Sequence, residues 1–351
     1  MLVLRSAIFR SASRSVAVSA RNFGLPPLKV RLLSFSLKNG SRFSREFSKL
    51  RPRVDTARRP PPSPTRFKPI TNNTILADFI GLRPGKDLLK CLAFTGAVGF
   101  GTFTIAAITD YRRKNQFEFD RLVEITRSFF QQGPHDQPTL SEGQKCALAL
   151  VALNVVVTVL WRFKPLTPAM WRYFSNSFAS KSLTAPMVLS TFSHQNVLHL
   201  LVNMYCLFSF THITIDKFLG IDQFIAFFLT AGAVSSLTSL AQKLVTRSTI
   251  RSLGASGAIL AVLTYTCMMI PEARLSIVFL PQFDFSAQNA VYGLLAFDLL
   301  GLVFRFKLFD HAAHLGGSLF GIFYALYGED LWKLYYHKVV KVYRRIIGGS
   351  K

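Results

Sequence analysis

Seven stretches of this chain run for about 16 to 25 residues with few charges, the length a helix needs to cross roughly 30 Å of hydrocarbon. They lie at 88–109, 146–161, 188–210, 224–244, 253–270, 285–304 and 311–327. Backbone in lipid has no water to bond, so its N–H and C=O groups must be satisfied within a helix or around a closed barrel. Barrel strands would alternate apolar and polar residues over about ten positions, and these runs do not. The fold class expected is therefore all-α: a polytopic transmembrane helical bundle in which one extra N-terminal helix precedes a compact core of six (1+6). The stretch "LSIVFLP", at 275–281, is too short to span.

Charge is distributed unevenly around these runs. The net charge is +24, a value that raises the question of nucleic acid. Much of it sits in a leader, where nine Lys or Arg precede the first acid, Glu46, among many serines. An Arg-rich, Ser-rich, acid-poor start is the composition of a mitochondrial transit peptide, assigned here to 1–55; the alternative is a basic disordered arm for anionic lipid. No interleaved aromatics or recognition fold accompany the charge, so no nucleic-acid partner is expected. A Pro- and Arg-rich linker follows at 56–87, then the extra helix at 88–109 and a soluble connection at 110–145 whose six acids balance six bases. The six-helix core occupies 146–328 and a basic tail 329–351. All four cysteines fall inside apolar runs without CxxC spacing, which argues for packing rather than a disulfide framework or zinc site.

With the leader's end in the matrix, the loops after the second, fourth and sixth helices share that side. They carry Arg162, Lys164, Arg172 and Lys181, then Lys243, Arg247 and Arg251, then Arg305 and Lys307 against Asp310. The opposite short loops are nearly neutral, in keeping with the positive-inside rule. The tail, with Lys333, Lys338, Lys341, Arg344 and Arg345, is the exception.

Strongly polar side chains inside spans cost several kcal/mol unless paired or hydrated, so each is a functional candidate. They cluster in "FSHQNVLHLLVNMY", with His194, His199 and Asn203; in "LGASGAIL", with Ser256; and in "FDHAAHLGGSLFG", with His311 and His314. His199 and Asn203, four apart, share a helical face. The three helices carrying these clusters enter the bilayer from one side, and Ser256 and His314 each lie about four residues into their runs, hence at similar depth. Gly317 and Gly321 are spaced for close helix approach, with Gly254 and Gly257 flanking the serine. A serine hydroxyl becomes nucleophilic when an imidazole accepts its proton, which would make Ser256 and His314 a dyad. Asn203, His199 and the free N–H groups at the start of the Ser256 helix could face an oxyanion. Taken singly, GASG reads as packing, the His194 to Asn203 group as a hydrogen-bond network or metal site, and the His311 and His314 pair as a proton relay. Their occurrence together at one depth favours acyl transfer.

In this order, a histidine, HxxxN, GxSG and AHxxGxxxG over residues 146–328 resemble the signature of the rhomboid intramembrane serine proteases. "STFSHQNVLHLLVNMY", "FLPQFDFSAQNA", "FDHAAHLGGSLFGI" and the extra helix before the six resemble its mitochondrial, presenilin-associated rhomboid-like branch. The resemblance implies Ser256 as nucleophile, His314 as general base, Asn203 and His199 as oxyanion donors, Gly257 in the tight helix start, and a more structural role for His194. It implies an inner-membrane, multi-pass protein that cleaves transmembrane-helix substrates, among them proteins of mitochondrial dynamics and quality control, with no metal or organic cofactor. Substrates should carry helix-destabilising or small residues near the cut, and water should enter through a polar cavity lined by His199, Asn203 and His314. Two departures stand out. Leu260 occupies the position where some bacterial relatives place a tyrosine against the histidine, and Trp171 and Arg172 lie too far from His199 to inherit the family's Trp-Arg role. Asp298, buried in a span, could orient a histidine as a third catalytic member, but the family uses a dyad and the favoured reading is a structural hydrogen bond. The alternatives are a catalytically silent rhomboid-like scaffold that binds transmembrane helices, and a proton-coupled transporter, for which the inverted repeats are not seen.

Overall fold

The computed structural model describes residues 2–4, 78–128, 140–277 and 280–348. The transit-peptide reading therefore lies outside the described residues except for Leu2–Leu4, as do the first part of the linker and residues 129–139. Nine α-helices form the described body: α1 (Asp87–Ser128), α2 (Glu142–Leu160), α3 (Thr167–Tyr173), α4 (Ala185–Leu189), α5 (Val197–Thr214), α6 (Gly220–Thr246), α7 (Ser256–Met269), α8 (Ala287–Val303) and α9 (His311–Gly348). A π-turn, Ile215–Leu219, joins α5 to α6. Between α7 and α8 lies an antiparallel ribbon of Arg274–Ile277 and Leu280–Ser286, joined by Leu2–Leu4 as a third strand. The "LSIVFLP" stretch is thus largely strand rather than span.

Helix starts follow local chemistry. Ser141 and Gln144 form a reciprocal capping box at α2. Asn196 caps α5 by accepting the His199 N–H at 3.0 Å. Three helical segments are long and apolar enough to cross a membrane, Asp87–Gln116, Glu142–Leu160 and Val197–Thr246, while Ser256–Met269 and Ala287–Val303 are shorter apolar helices.

Two spans start later than hydrophobicity suggests. The run at 188–210 becomes helix only at Val197, its first residues folding as short helical turns. The run at 253–270 becomes helix only at Ser256, so α7 is about 21 Å long at 1.5 Å per residue. It fits because it is central: α5, α6, α8 and α9 all pack on it, and small Gly257, Ala258 and Ala261 let them approach. Two other helices overrun their apolar runs. α1 continues to Ser128, and α9 carries the basic tail as helix to Gly348. The two run alongside one another, with Phe103 against Trp332, Tyr111 against Tyr343 and Arg344 over the Tyr111 ring.

The segment before α1 is docked on the loop between α3 and α4. Ile80 N–H bonds Ala179 O at 3.0 Å and Lys181 N–H bonds Asp78 O at 3.1 Å. Buried Asp78 receives Arg251 at 2.7 Å, and Arg251 also donates to Trp171 O at 2.8 Å and Ser175 Oγ at 3.0 Å. The guanidinium fork alone can serve three acceptors in this arrangement. Arg251→Lys is expected to lower stability by about 1–2 kcal/mol, since an ammonium leaves buried acceptors unserved; denaturant titration in detergent would measure it, and an unchanged midpoint would contradict the assignment.

Candidate active site

Ser256 opens α7 and His314 lies in the first turn of α9. Ser256 Oγ is 2.8 Å from His314 Nε2, and the histidine side chain is 12% exposed, so the pair is sheltered without being sealed. The contact exists because two backbones nearly touch. A Cβ on Gly317 would overlap the Gly257 carbonyl, one on Gly257 would overlap Ser235 Oγ, and one on Gly321 would overlap the Ala261 carbonyl. The glycine spacing read from the sequence thus sits at the α7–α9 seam.

The turn before Ser256 is tightly held. Gly254 has φ +134°, a conformation that disfavours any side chain, and a Cβ there would also press on the His199 ring at 2.9 Å. Its N–H donates to Ser190 O at 3.0 Å. His194 Nε2 receives two donors, Asn203 Nδ2 at 3.1 Å and the Ala255 N–H at 3.4 Å. Both are N–H groups, so this nitrogen accepts and the ring is in its Nδ1–H form. His194 therefore ties α5 to the serine turn, the structural role expected of it. Asn203 is buried, its amide also donating to His199 O at 3.0 Å. His194 and His199 rings meet edge to face at 5.2 Å. All four expected site residues gather at this end of the bundle: Ser256 and His314 in direct contact, His199 and Asn203 grouped around the turn that precedes the serine.

On its far side His314 Nδ1 lies 3.3 Å from Asp298 Oδ1, the same oxygen that His311 Nδ1 approaches at 2.7 Å. Asp298 thus bonds two histidines, one of them the histidine beside Ser256. Phe309 packs 5.8 Å from the His314 ring, an aromatic contact that comes from the residue before Asp310 and not from α7. Asp298, His311 and His314 offer three ligand atoms within 4.8 Å of one another, a grouping that could hold a metal; their mutual hydrogen bonds already account for it. Trp171 buttresses Arg251, whose guanidinium lies 5.7 Å from the indole centre.

A small cavity of about 40 Å³ lies beside Ser256, with Asn176, Ser190, Thr191, Ser235, Ser236 and Ser239 among its polar lining. Its hydroxyls come from Ser235, Ser236 and Ser239 of α6 and from Ser190 and Thr191 of the turn before α5, and His199, Asn203 and His314 do not line this cavity. Below it, Lys243 and Asp310 form a buried ion pair at 3.3 Å. Burial pushes the Asp310 carboxyl up, but Lys243, two serine hydroxyls and the Ala313 N–H outweigh it and hold the group at about 2. Neither residue stood out in the sequence, because a lysine ending an apolar run reads as a loop cation.

Residues 170–329 match the Rhomboid domain. The presenilin-associated rhomboid-like protein, mitochondrial, of Pongo abelii is 48% identical over 290 residues, 76% of this chain and 76% of its own. The chain belongs to the rhomboid family. The human protein of the same description is 42% identical over the same shares. Rhomboid protein 1, mitochondrial, of Saccharomyces cerevisiae is 33% identical over 185 residues, 51% of this chain and 52% of its own. These relatives agree with the helical bundle and with the branch that the sequence resembles.

Proposed function

We propose that this rhomboid is an intramembrane serine protease of the mitochondrial inner membrane that cleaves transmembrane-helix proteins. The observation that carries the reading is the 2.8 Å approach of Ser256 Oγ to His314 Nε2 across two helices. The hydroxyl proton passes to Nε2 as Oγ attacks a substrate carbonyl, and the oxyanion is met by the N–H groups of the first turn of α7, by His199, and by Asn203 when substrate draws one amide proton from its His194 or His199 O acceptor. Collapse expels the amine, which takes the proton from His314, and leaves an acyl-serine. Water then attacks the ester with His314 again as base, and the hydroxyl-lined cavity suits storage of that water.

A hydrogen-bonded helix hides its carbonyls, so substrates must unwind locally, favouring small or helix-breaking residues at the cut. The leader, the linker, the 88–109 span, the connection and the 146–328 core together read as an imported, multi-pass inner-membrane enzyme, in line with relatives named as mitochondrial. The purified protein in vesicles, given a single-span substrate with a Gly-rich segment, should yield a product cut within or beside the span. Absence of any product from a panel of such substrates would overturn the reading.

Asp298 accepts from the imidazole nitrogen opposite Ser256 and keeps the ring turned toward the hydroxyl. Asp298→Asn weakens that acceptor without changing volume, and cleavage should fall by about tenfold at unchanged KM. Full kcat in the same assay would assign Asp298 to His311 alone.

A further inference from the structure

Each dyad member has a polar anchor four residues upstream: Ser252, in the turn before α7, for Ser256, and Asp310, just before α9, for His314. The two anchors meet at one lysine. Lys243, 4% exposed near the end of α6, donates to Ser239 Oγ at 2.8 Å and to Ser252 Oγ at 2.5 Å, and pairs ionically with Asp310 Oδ2 at 3.3 Å. Both serine hydroxyls donate onward to Asp310 Oδ2. Asp310 Oδ1 accepts the Ala313 N–H at 3.0 Å, capping the helix that bears His314. Ser252 is fixed in turn by paired backbone bonds with Asn176, at 2.7 and 2.9 Å. Two ammonium donations, two hydroxyl donations and the ion pair thus close one network around Asp310.

We infer that Lys243 is a positioning residue: with Asp310 it keys the serine turn to the histidine helix and so fixes the distance between Ser256 and His314. The inference rests on the protease reading above. Stability alone does not call for such a pair. Desolvating two charges costs several kcal/mol, and apolar residues of like volume often serve a fold as well or better. The glycine seam already holds α7 to α9. Ser190 and His194 hold the serine turn on the α5 side, and the lysine network is what ties that same turn to the start of the histidine helix.

The test compares wild type with Lys243→Met/Asp310→Asn, which removes both charges together and retains a side-chain cap, and with Ser252→Ala, too small a change to unfold the bundle. A fluorophosphonate probe reports the rate of serine labelling, substrate cleavage gives kcat and KM, and thermal unfolding reports the fold. The double variant should unfold within a few degrees of wild type, yet label and turn over about tenfold or more slowly with KM within about twofold. Ser252→Ala should label about threefold to fivefold more slowly, and Lys243→Arg should stay within about threefold of wild type. Labelling of Ser252→Ala at the wild-type rate, or of a folded double variant at that rate, would overturn the inference while leaving the protease reading intact. Wild-type protein that neither labels nor cleaves would overturn the protease reading and this inference with it.

Discussion

Ser256→Ala should lower cleavage of a transmembrane substrate by at least about a thousandfold while the protein remains inserted and folded. The hydroxyl is placed to attack, its proton acceptor lies at hydrogen-bond distance, and losing Oγ removes a single atom. His314→Ala should fall to a similar floor, and the double variant no lower, since nucleophile and base act as one unit. Multiplying losses in the double variant would instead mean that the two residues work independently. Cleavage by purified Ser256→Ala near the wild-type rate would remove the serine from the chemistry.

Gly317→Val should be the most damaging single change to the fold, at about 3–5 kcal/mol. The new side chain would meet the Gly257 carbonyl, which is backbone and cannot swing aside. α9 would have to move off α7, breaking the seam and pulling His314 from Ser256. Gly293→Ala on α8 is the control, because its Cβ meets nothing within 4 Å; replacing an exposed helical glycine should be neutral or stabilising by up to about 1 kcal/mol. Denaturant titration or protease resistance in detergent would compare the two. Equal stability of Gly317→Val and wild type would refute the close-packed seam.

The dyad was legible in the sequence because depth in a membrane can be counted: two polar residues at matched offsets in helices that enter from one side have a restricted set of partners. The glycine seam was legible for the same reason, as a spacing rather than a contact. Helix starts were less so. Hydrophobicity does not mark where a helix begins: residues 188–192 fold as short helical turns and 253–255 as a loop ahead of Ser256, although both adjoin the apolar helices that follow. The ion pairs were hidden by the positive-inside count, in which Lys243 and Arg251 serve as loop cations. Lys243 is buried against Asp310 and Arg251 against Asp78, an acid 173 residues away in sequence. Nothing local marks such a partner. The face still carries Arg162, Lys164, Arg172, Lys181, Arg247, Arg305 and Lys307, so the asymmetry survives their removal.

The most direct measurement is covalent labelling of the purified wild-type protein by a fluorophosphonate, with the modified residue located by mass spectrometry. The probe requires a hydroxyl whose proton is being withdrawn, which is the state that the Ser256 and His314 geometry creates. Labelling on Ser256, abolished in His314→Ala, is the predicted result. An unlabelled wild-type protein, or label on another serine with Ser256 untouched, would contradict the account and leave a rhomboid that binds transmembrane helices without cutting them.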